Sequence, residues 1–382
     1  MYWWRRFDLE EVEQDFARIR AAGFDSVRIF LLWEDFQPEP HQIAPEMLKR
    51  LLSVADLAAR HELSLILTLF TGHMSGVNWI PEWALEAGDA PGRFRVFASG
   101  QLRRTGLKNW YSDQNIVEAQ ARLAHEVAAA LRAHPALWAY DLGNENSNCV
   151  VPSSRAAATA WLERIAGEIR SVDSSSLITI GLHMEDLEED RQLGPAEAAR
   201  VCDFLSMHGY PIYARWAEGP ADARLLPFLG LVTRWLGGRD VLFEEFGAPA
   251  ISHPRRTETL ESTTSSVGLL EEGEAASFTR RALSLLHQFG FLGAMLWCYG
   301  DYASALWHEP PLDEAVHERY FGLWHNDYTA KPALAEIKQW AGAERGEQSD
   351  DFSWIEIKAA DFYLNPRENL CHLYRRFCEL QF

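Results

Sequence analysis

Apolar positions along the chain recur at two alternating spacings. Residues 8–23 place Leu9, Val12, Phe16 and Ile19 on one helical face; Asp8 and Glu11 form a capping-box pattern at its start and Gly23 closes it. A short β-branched run follows at 25–31. The exchange then repeats. Helical spacing at 45–61 leads to an apolar run at 63–70, 113–133 to 136–143, 154–171 to 176–183, 195–201 to 203–210, 221–237 to 240–247 and 272–289 to 292–300, and a last helix lies near 332–343. The runs between helices are almost continuously apolar, as in strands covered on both faces. Repeated helix–strand units without a glycine-rich phosphate loop predict an α/β fold, a (β/α)8 TIM barrel rather than a doubly wound sheet. Seven strands are counted, and residues 1–7 do not read as an eighth, so the barrel is expected to lack its usual first strand.

Three connections are long, 71–112, 248–270 and 301–330, and each follows a strand. Long ordered loops on that side of a barrel are usually functional. A polar stretch at 345–353 reads as a linker to a tail in which Leu370, Leu373, Tyr374, Phe377 and Leu380 repeat at helical spacing. The expected organisation is therefore a catalytic barrel over 1–344 and a linker with an amphipathic helix over 345–382. That helix is expected to pack on the barrel or on a second subunit.

The 382 residues carry 36 Lys+Arg against 55 Asp+Glu, a formal net charge of −19. No basic cluster is present to neutralise phosphates, so neither nucleic acid nor an anionic membrane is expected as a partner. No apolar run is long enough to span a bilayer. The five cysteines show no C-x-x-C spacing, and Cys371 and Cys378 lie too far apart on one helix to pair; all five read as reduced thiols. With no secretory apolar segment in the first residues, a cytoplasmic location is expected. Fifteen Trp residues stand out, because aromatic faces either fill cores or stack on flat sugar rings.

Polar residues at the strand ends supply the candidate chemistry. They are Arg28, His73 just after the second strand, Asn144-Glu145, His208 with Tyr210, Glu244-Glu245 and Trp297. In a barrel these converge on one mouth. Two carboxylates on different strands, one holding a proton and one ionised, are what glycosidic bond hydrolysis requires. No G-x-S-x-G elbow, H-E-x-x-H zinc motif or nucleotide-binding glycine loop occurs, so neither a metal nor an organic cofactor is expected.

Taken in order, Gly143-Asn144-Glu145, His208-Gly209-Tyr210, Glu245-Phe246-Gly247, Trp297 and the Lys331-Pro332-Ala333 stretch resemble clan A of the glycoside hydrolases. Within that clan the likeness is to the family 5, cellulase/mannanase-like barrels, over residues 8–340. The resemblance implies a retaining β-glycoside hydrolase acting on β-mannosides or β-glucosides. Glu145 would be the acid/base, Glu245 the nucleophile and Asn144 the partner of the sugar 2-hydroxyl. Arg28 would hold the nucleophile ionised, His208 and Tyr210 would flank it, Trp297 would floor the reacting sugar's subsite, and His73 would bind substrate. Glu244 is the rival nucleophile on the opposite side of the strand. Asn144 and Glu145 also have opposite parity, so a bulge or a strand end must bring both into the mouth. An arginine in an apolar strand needs a partner, and Glu245 is the natural one for Arg28. Trp33, Trp79, Trp83, Trp307 and Trp324 read mainly as packing, and Asp186, Glu188, Glu189 and Asp190 as a solvated charge run. The missing first strand motivates two further readings: a sugar-binding barrel of weak or no activity, and a homo-oligomer that closes the gap between subunits.

Overall fold

Asp8 caps α1 (Leu9–Ala21) by accepting the backbone N–H groups of Glu10 and Glu11. The chain then enters β1 (Ser26–Phe30), crosses through α2 (Pro45–Arg60) into β2 (Ser64–Thr68), and through α3 (Gln114–Ala130) into β3 (Leu137–Asn144). The next crossing, α4 (Arg155–Val172), leads to β4 (Leu177–Gly181). Asp113 and Ser154 cap α3 and α4 through their side chains. In this computed structural model, which describes residues 2–252, 260–261 and 266–380, the chain divides into two units. The first comprises Met1–Leu182 and Arg191–Phe204, and its sheet is parallel in the order β1-β2-β3-β4.

The second unit comprises His183–Asp190 and Leu205–Phe382. It contains β5 (Leu205–Gly209), α5 (Leu225–Gly237), β6 (Val241–Phe246), α6 (Glu272–Gln288) and β7 (Ala294–Leu296), followed by α7 (Ala333–Lys338) and α8 (Pro366–Glu379). Its sheet is parallel in the order β7-β6-β5. Helix α5 is buried from Leu225 through Arg234, because α8 covers the face turned away from the sheet. Leu370, Leu373, Tyr374 and Phe377 of α8 are all buried, and the rings of Tyr374 and Phe377 lie 4.9 and 5.7 Å from Phe228 of α5.

With four parallel strands in the first unit and three in the second, alternating with helices in the expected order, the chain is an α/β protein of the (β/α)8 type with a C-terminal helix. Among the described residues no strand precedes α1. Trp4–Arg6 form a 3₁₀ turn instead, and the buried Trp4 donates its indole N–H to the carbonyl of Phe30 at the end of β1 (2.8 Å). The connection 71–112 folds into its own sheet of four short strands, Gly72–Met74, Val77–Trp79, Arg95–Ala98 and Gln101–Arg103. The connection 301–330 carries 3₁₀ turns at Ser304–Leu306 and Val316–Tyr320. Much of 248–270 lies outside the described residues. No helix among the described residues is long and apolar enough to cross a membrane.

The acidic run at 186–190 is not a solvated face. Asp186 and Glu188 are buried: Asp186 accepts the backbone N–H of His183, while Glu188 accepts from the Trp216 indole (2.7 Å) and from Arg367 of α8 (3.1 Å). Only Glu189 and Asp190 of the four face solvent. Sequence position alone could not reveal that an indole and a distant arginine wait for Glu188.

Candidate active site

In the first unit the β3–β4 ladder advances from Asp141 to Asn144 on one strand while it advances only from Thr179 to Gly181 on the other. The extra residue is a bulge. Glu145 follows in the left-handed region (φ 48°, ψ 44°), and its N–H donates to the carbonyl of Gly181 (3.0 Å). The bulge and the left-handed turn together resolve the parity problem of Asn144 and Glu145. They also explain Gly143, where a Cβ would lie 2.4 Å from the buried side chain of Asn146. A left-handed glutamate is uncommon and marks a backbone held by its surroundings.

Asn144 is clamped on both sides: its Nδ2 donates to the carbonyl of His73 (2.6 Å) and its Oδ1 accepts from Arg28 (2.8 Å). The guanidinium of Arg28 also reaches Asp141 (2.6 Å), which is fully buried and additionally accepts from Thr68 and from the N–H groups of Gly143 and Gly181. Arg28 thus has an ion-pair partner on β3, two strands away in the same sheet, that no motif marks. An aspartate inside an apolar run needs a cation as much as an arginine needs an anion, so the same reasoning applied to Asp141 would have found it.

His73 stands on the first short strand of the 71–112 sheet. Its Nδ1 lies 2.8 Å from Oδ1 of Asn78 and its Nε2 lies 4.0 Å from Oε2 of Glu145. Asn78 uses its Nδ2 on the carbonyl of Asn148 (3.4 Å), so its Oδ1 must face His73. Neutral His73 therefore carries its proton on Nδ1 and has its Nε2 on the Glu145 side. Cys149 donates to the same Oδ1 (3.3 Å); burial, reinforced by the Glu145 carboxylate, pushes its thiol well above the usual range. Nδ2 of Asn148 donates to Oε2 of Glu145 (3.1 Å).

In the second unit a bulge also sets the glutamates. Residues 243 to 245 of β6 pair against 207 to 208 of β5, leaving Glu244 as the extra residue. Both carboxylates flank His208, with Nδ1 3.7 Å from Oε2 of Glu245 and Nε2 3.8 Å from Oε2 of Glu244. Glu245 accepts the phenolic O–H of Tyr210 at 2.7 Å, a short charge-assisted bond. Gly247 is required by close approach, because a Cβ there would meet the carbonyl of Trp297 at 2.4 Å.

Trp297, half-buried at the end of β7, directs its indole N–H at Oε2 of Glu318 (3.4 Å). Oε1 of Glu318 accepts from the hydroxyl of Tyr213 (3.2 Å), which lies 2.8 Å from Nε2 of His317. One hydroxyl has one proton. The charged carboxylate takes it, so His317 donates to the Tyr213 oxygen. Burial pulls His317 down to about 4. Burial also raises the phenol of Tyr302, and Cys298, Glu318 and Glu245 reinforce the shift, which places Tyr302 in the field of both glutamates. Of the five other tryptophans noted, Trp33, Trp79 and Trp324 are buried packing residues, and Trp83 and Trp307 are half-buried. Glu318, Asn148 and Asp141 carry no motif that would have marked them.

Comparison with known proteins places this arrangement. A glycoside hydrolase 42 β-galactosidase family model matches residues 1–179. A putative mannan endo-1,4-β-mannosidase 5 of Oryza sativa subsp. japonica is 25% identical over 323 residues, covering 75% of this chain; the chain spans 62% of that relative's length. The family 5, subfamily 18 enzyme of Streptomyces cattleya, crystallised with GlcNAc, superposes with a TM-score of 0.72 at 22% identity, covering 91% of this chain and 78% of its own. The exo-β-1,4-mannosidase Op5Man5 of Opitutaceae bacterium strain TAV5 superposes with a TM-score of 0.71 at 26% identity, covering 90% of this chain and 57% of its own. Over 75 to 91% of its length the chain is similar to glycoside hydrolases of family 5. In this chain each motif glutamate stands at or beside a strand end of its own unit. Glu145 lies just beyond β3 with Arg28, His73 and Asn144 around it; Glu245 lies on β6 with His208 and Tyr210, and Trp297 ends the adjacent strand.

Proposed function

We propose that this protein is a retaining β-glycoside hydrolase whose first substrates to test are short β-mannosides, followed by β-glucosides. The observation that carries the reading is the contrast between the two carboxyls. Glu245 accepts a hydrogen bond from the phenol of Tyr210, which holds one of its oxygens in place as a nucleophile requires. Glu145 sits beside a neutral carboxamide and a buried thiol, surroundings suited to a group that must both give and take a proton. The mannosidase names of the relatives support the choice of sugar.

In the proposed reaction an oxygen of Glu245 forms a bond to the anomeric carbon as the bond to the leaving oxygen breaks, and Glu145 transfers its proton to that oxygen. Glu145, now ionised, takes a proton from water. The water oxygen attacks the anomeric carbon and the ester to Glu245 breaks. Asn144 would meet the 2-hydroxyl, His73 would bind a sugar hydroxyl, and Trp297 would lie under the ring. The test is a panel of aryl β-mannosides, aryl β-glucosides and β-1,4-mannobiose, with Glu145→Ala and Glu245→Ala alongside. The expected result is hydrolysis of at least one class, loss of turnover in Glu245→Ala, and an initial product of the β configuration by NMR. An inverted product would overturn retention. Sugar binding with no turnover anywhere on the panel would overturn hydrolysis in favour of a carbohydrate-binding barrel.

A further inference from the structure

The loop that follows the acidic run at 186–190 returns a buried arginine to the turn carrying Glu145. Arg191 is 5% exposed, and its Nη1 donates to Oδ1 of Asn148 (2.9 Å) and to the hydroxyl of Ser147 (3.1 Å). A guanidinium has donors and no acceptor. It therefore fixes which way the Asn148 carboxamide faces: the oxygen must turn to Arg191, and the nitrogen is left pointing at Oε2 of Glu145 (3.1 Å). Asn78 holds the backbone of Asn148 from the other side, by donating to its carbonyl. Glu145 needs this help because its backbone is in the left-handed region and it lies between the end of β3 and the one-turn 3₁₀ segment Asn146–Asn148, outside any strand.

We propose that Asn148, oriented by Arg191, is a positioning residue that aims the Glu145 carboxyl at the leaving-group oxygen. The inference rests on the acid/base role proposed above for Glu145. Asn148 does not exchange a proton itself. It holds one carboxyl oxygen by a hydrogen bond, so the other is presented in one direction. A carboxyl free to rotate would spend most of its time misaimed, and a misplacement of about 1 Å costs about 10²-fold in rate.

The test exploits how much a substrate depends on protonation of its leaving group. Asn148→Asp keeps the size and the bond to Arg191 but has no proton to give Glu145. Asn148→Ala removes both contacts, and Arg191→Leu frees the carboxamide to flip. For all three, kcat/KM is measured on 2,4-dinitrophenyl and 4-methylphenyl β-mannosides, with thermal unfolding as a folding check and Glu145→Ala as reference. The expected result is a loss of about 10²-fold on the methylphenyl substrate for Asn148→Asp and Asn148→Ala, a smaller loss for Arg191→Leu, and values near wild type on the dinitrophenyl substrate, which needs no acid. Equal losses on both substrates, or none on either, in variants that fold would overturn the proposal. If Glu145→Ala is impaired selectively on the methylphenyl substrate and Asn148→Asp is not, the failure belongs to Asn148 alone. If Glu145→Ala shows no such selectivity, the acid/base reading fails and this inference fails with it.

Discussion

The hydroxyl of Tyr210 and the carboxylate of Glu245 meet at 2.7 Å, and hydrogen bonds to a charged group contribute about 1.5–3 kcal/mol. Tyr210→Phe is therefore expected to lower kcat/KM by about 10- to 100-fold and to lower the unfolding free energy by no more than that bond contributes, because the ring and its packing on Phe321 remain. Steady-state kinetics on the accepted β-glycoside measures it. His317 gives a second prediction, on stability. Its folded pKa of about 4 lies below the ordinary 6.5 because the ring is buried, so protons bind the unfolded chain more readily. The neutral ring's stabilisation is complete above pH 6.5 and is lost as pH falls from 6.5 to 4, by about 3 kcal/mol. Urea unfolding across that window should be flatter with pH in His317→Gln than in the native protein. At this scale, residues inside ordered motifs, such as Glu145, Glu245, Asn144 and Tyr210, stand out in the sequence as candidates. Arg191 and Glu318 were not, because each is a single charge whose partner comes from elsewhere in the chain, Asn148 in one case and Tyr213 and Trp297 in the other.

At the scale of the element, alternation along a strand puts the members of each adjacent pair, Asn144-Glu145 and Glu244-Glu245, on opposite sides, and in both the ladder is interrupted by a bulge, so that Glu244 and Glu245 both flank His208. The glycines beside the bulges are there for the room they leave. Gly143→Ala would press on the side chain of Asn146, whereas Gly247→Ala would press on the backbone carbonyl of Trp297, each at 2.4 Å. A side chain yields more easily than a peptide unit, so Gly247→Ala is expected to lower the unfolding temperature more than Gly143→Ala; overpacking of this kind costs about 1–3 kcal/mol. Calorimetry of the two variants checks the order. The long helices and the buried strands were legible from periodicity, since each spans enough residues to show one. The sheet within 71–112 was not, because its strands are three or four residues long and no period can be read over that span.

For the whole molecule, the open question in the sequence was what the tail beyond 345 does. Its apolar residues are one face of a helix, and the structure shows which surface that face covers. Phe377 of α8 is 1% exposed and lies against Phe228, Phe289 and Trp354, with ring centroids 5.7, 5.9 and 5.4 Å away. Arg376 ties the helix to the carbonyl of Trp354, and Arg367 ties it to Glu188. Phe228 belongs to α5, which is apolar nearly all round, so without α8 the second unit would expose a continuous apolar face. The tail is thus part of the second unit's core. Phe377→Ala should cost about 3–5 kcal/mol, because the cavity it leaves is walled by rings that cannot close over it. The Phe377 neighbours named here include none of His208, Tyr210, Glu245 or Trp297, so the loss should appear in urea unfolding and not in KM on the accepted β-glycoside. A Phe377→Ala protein that unfolds like the native one would mean that α8 only decorates the surface of α5. A raised KM in a folded variant would mean that the tail's packing reaches the sugar-binding strands.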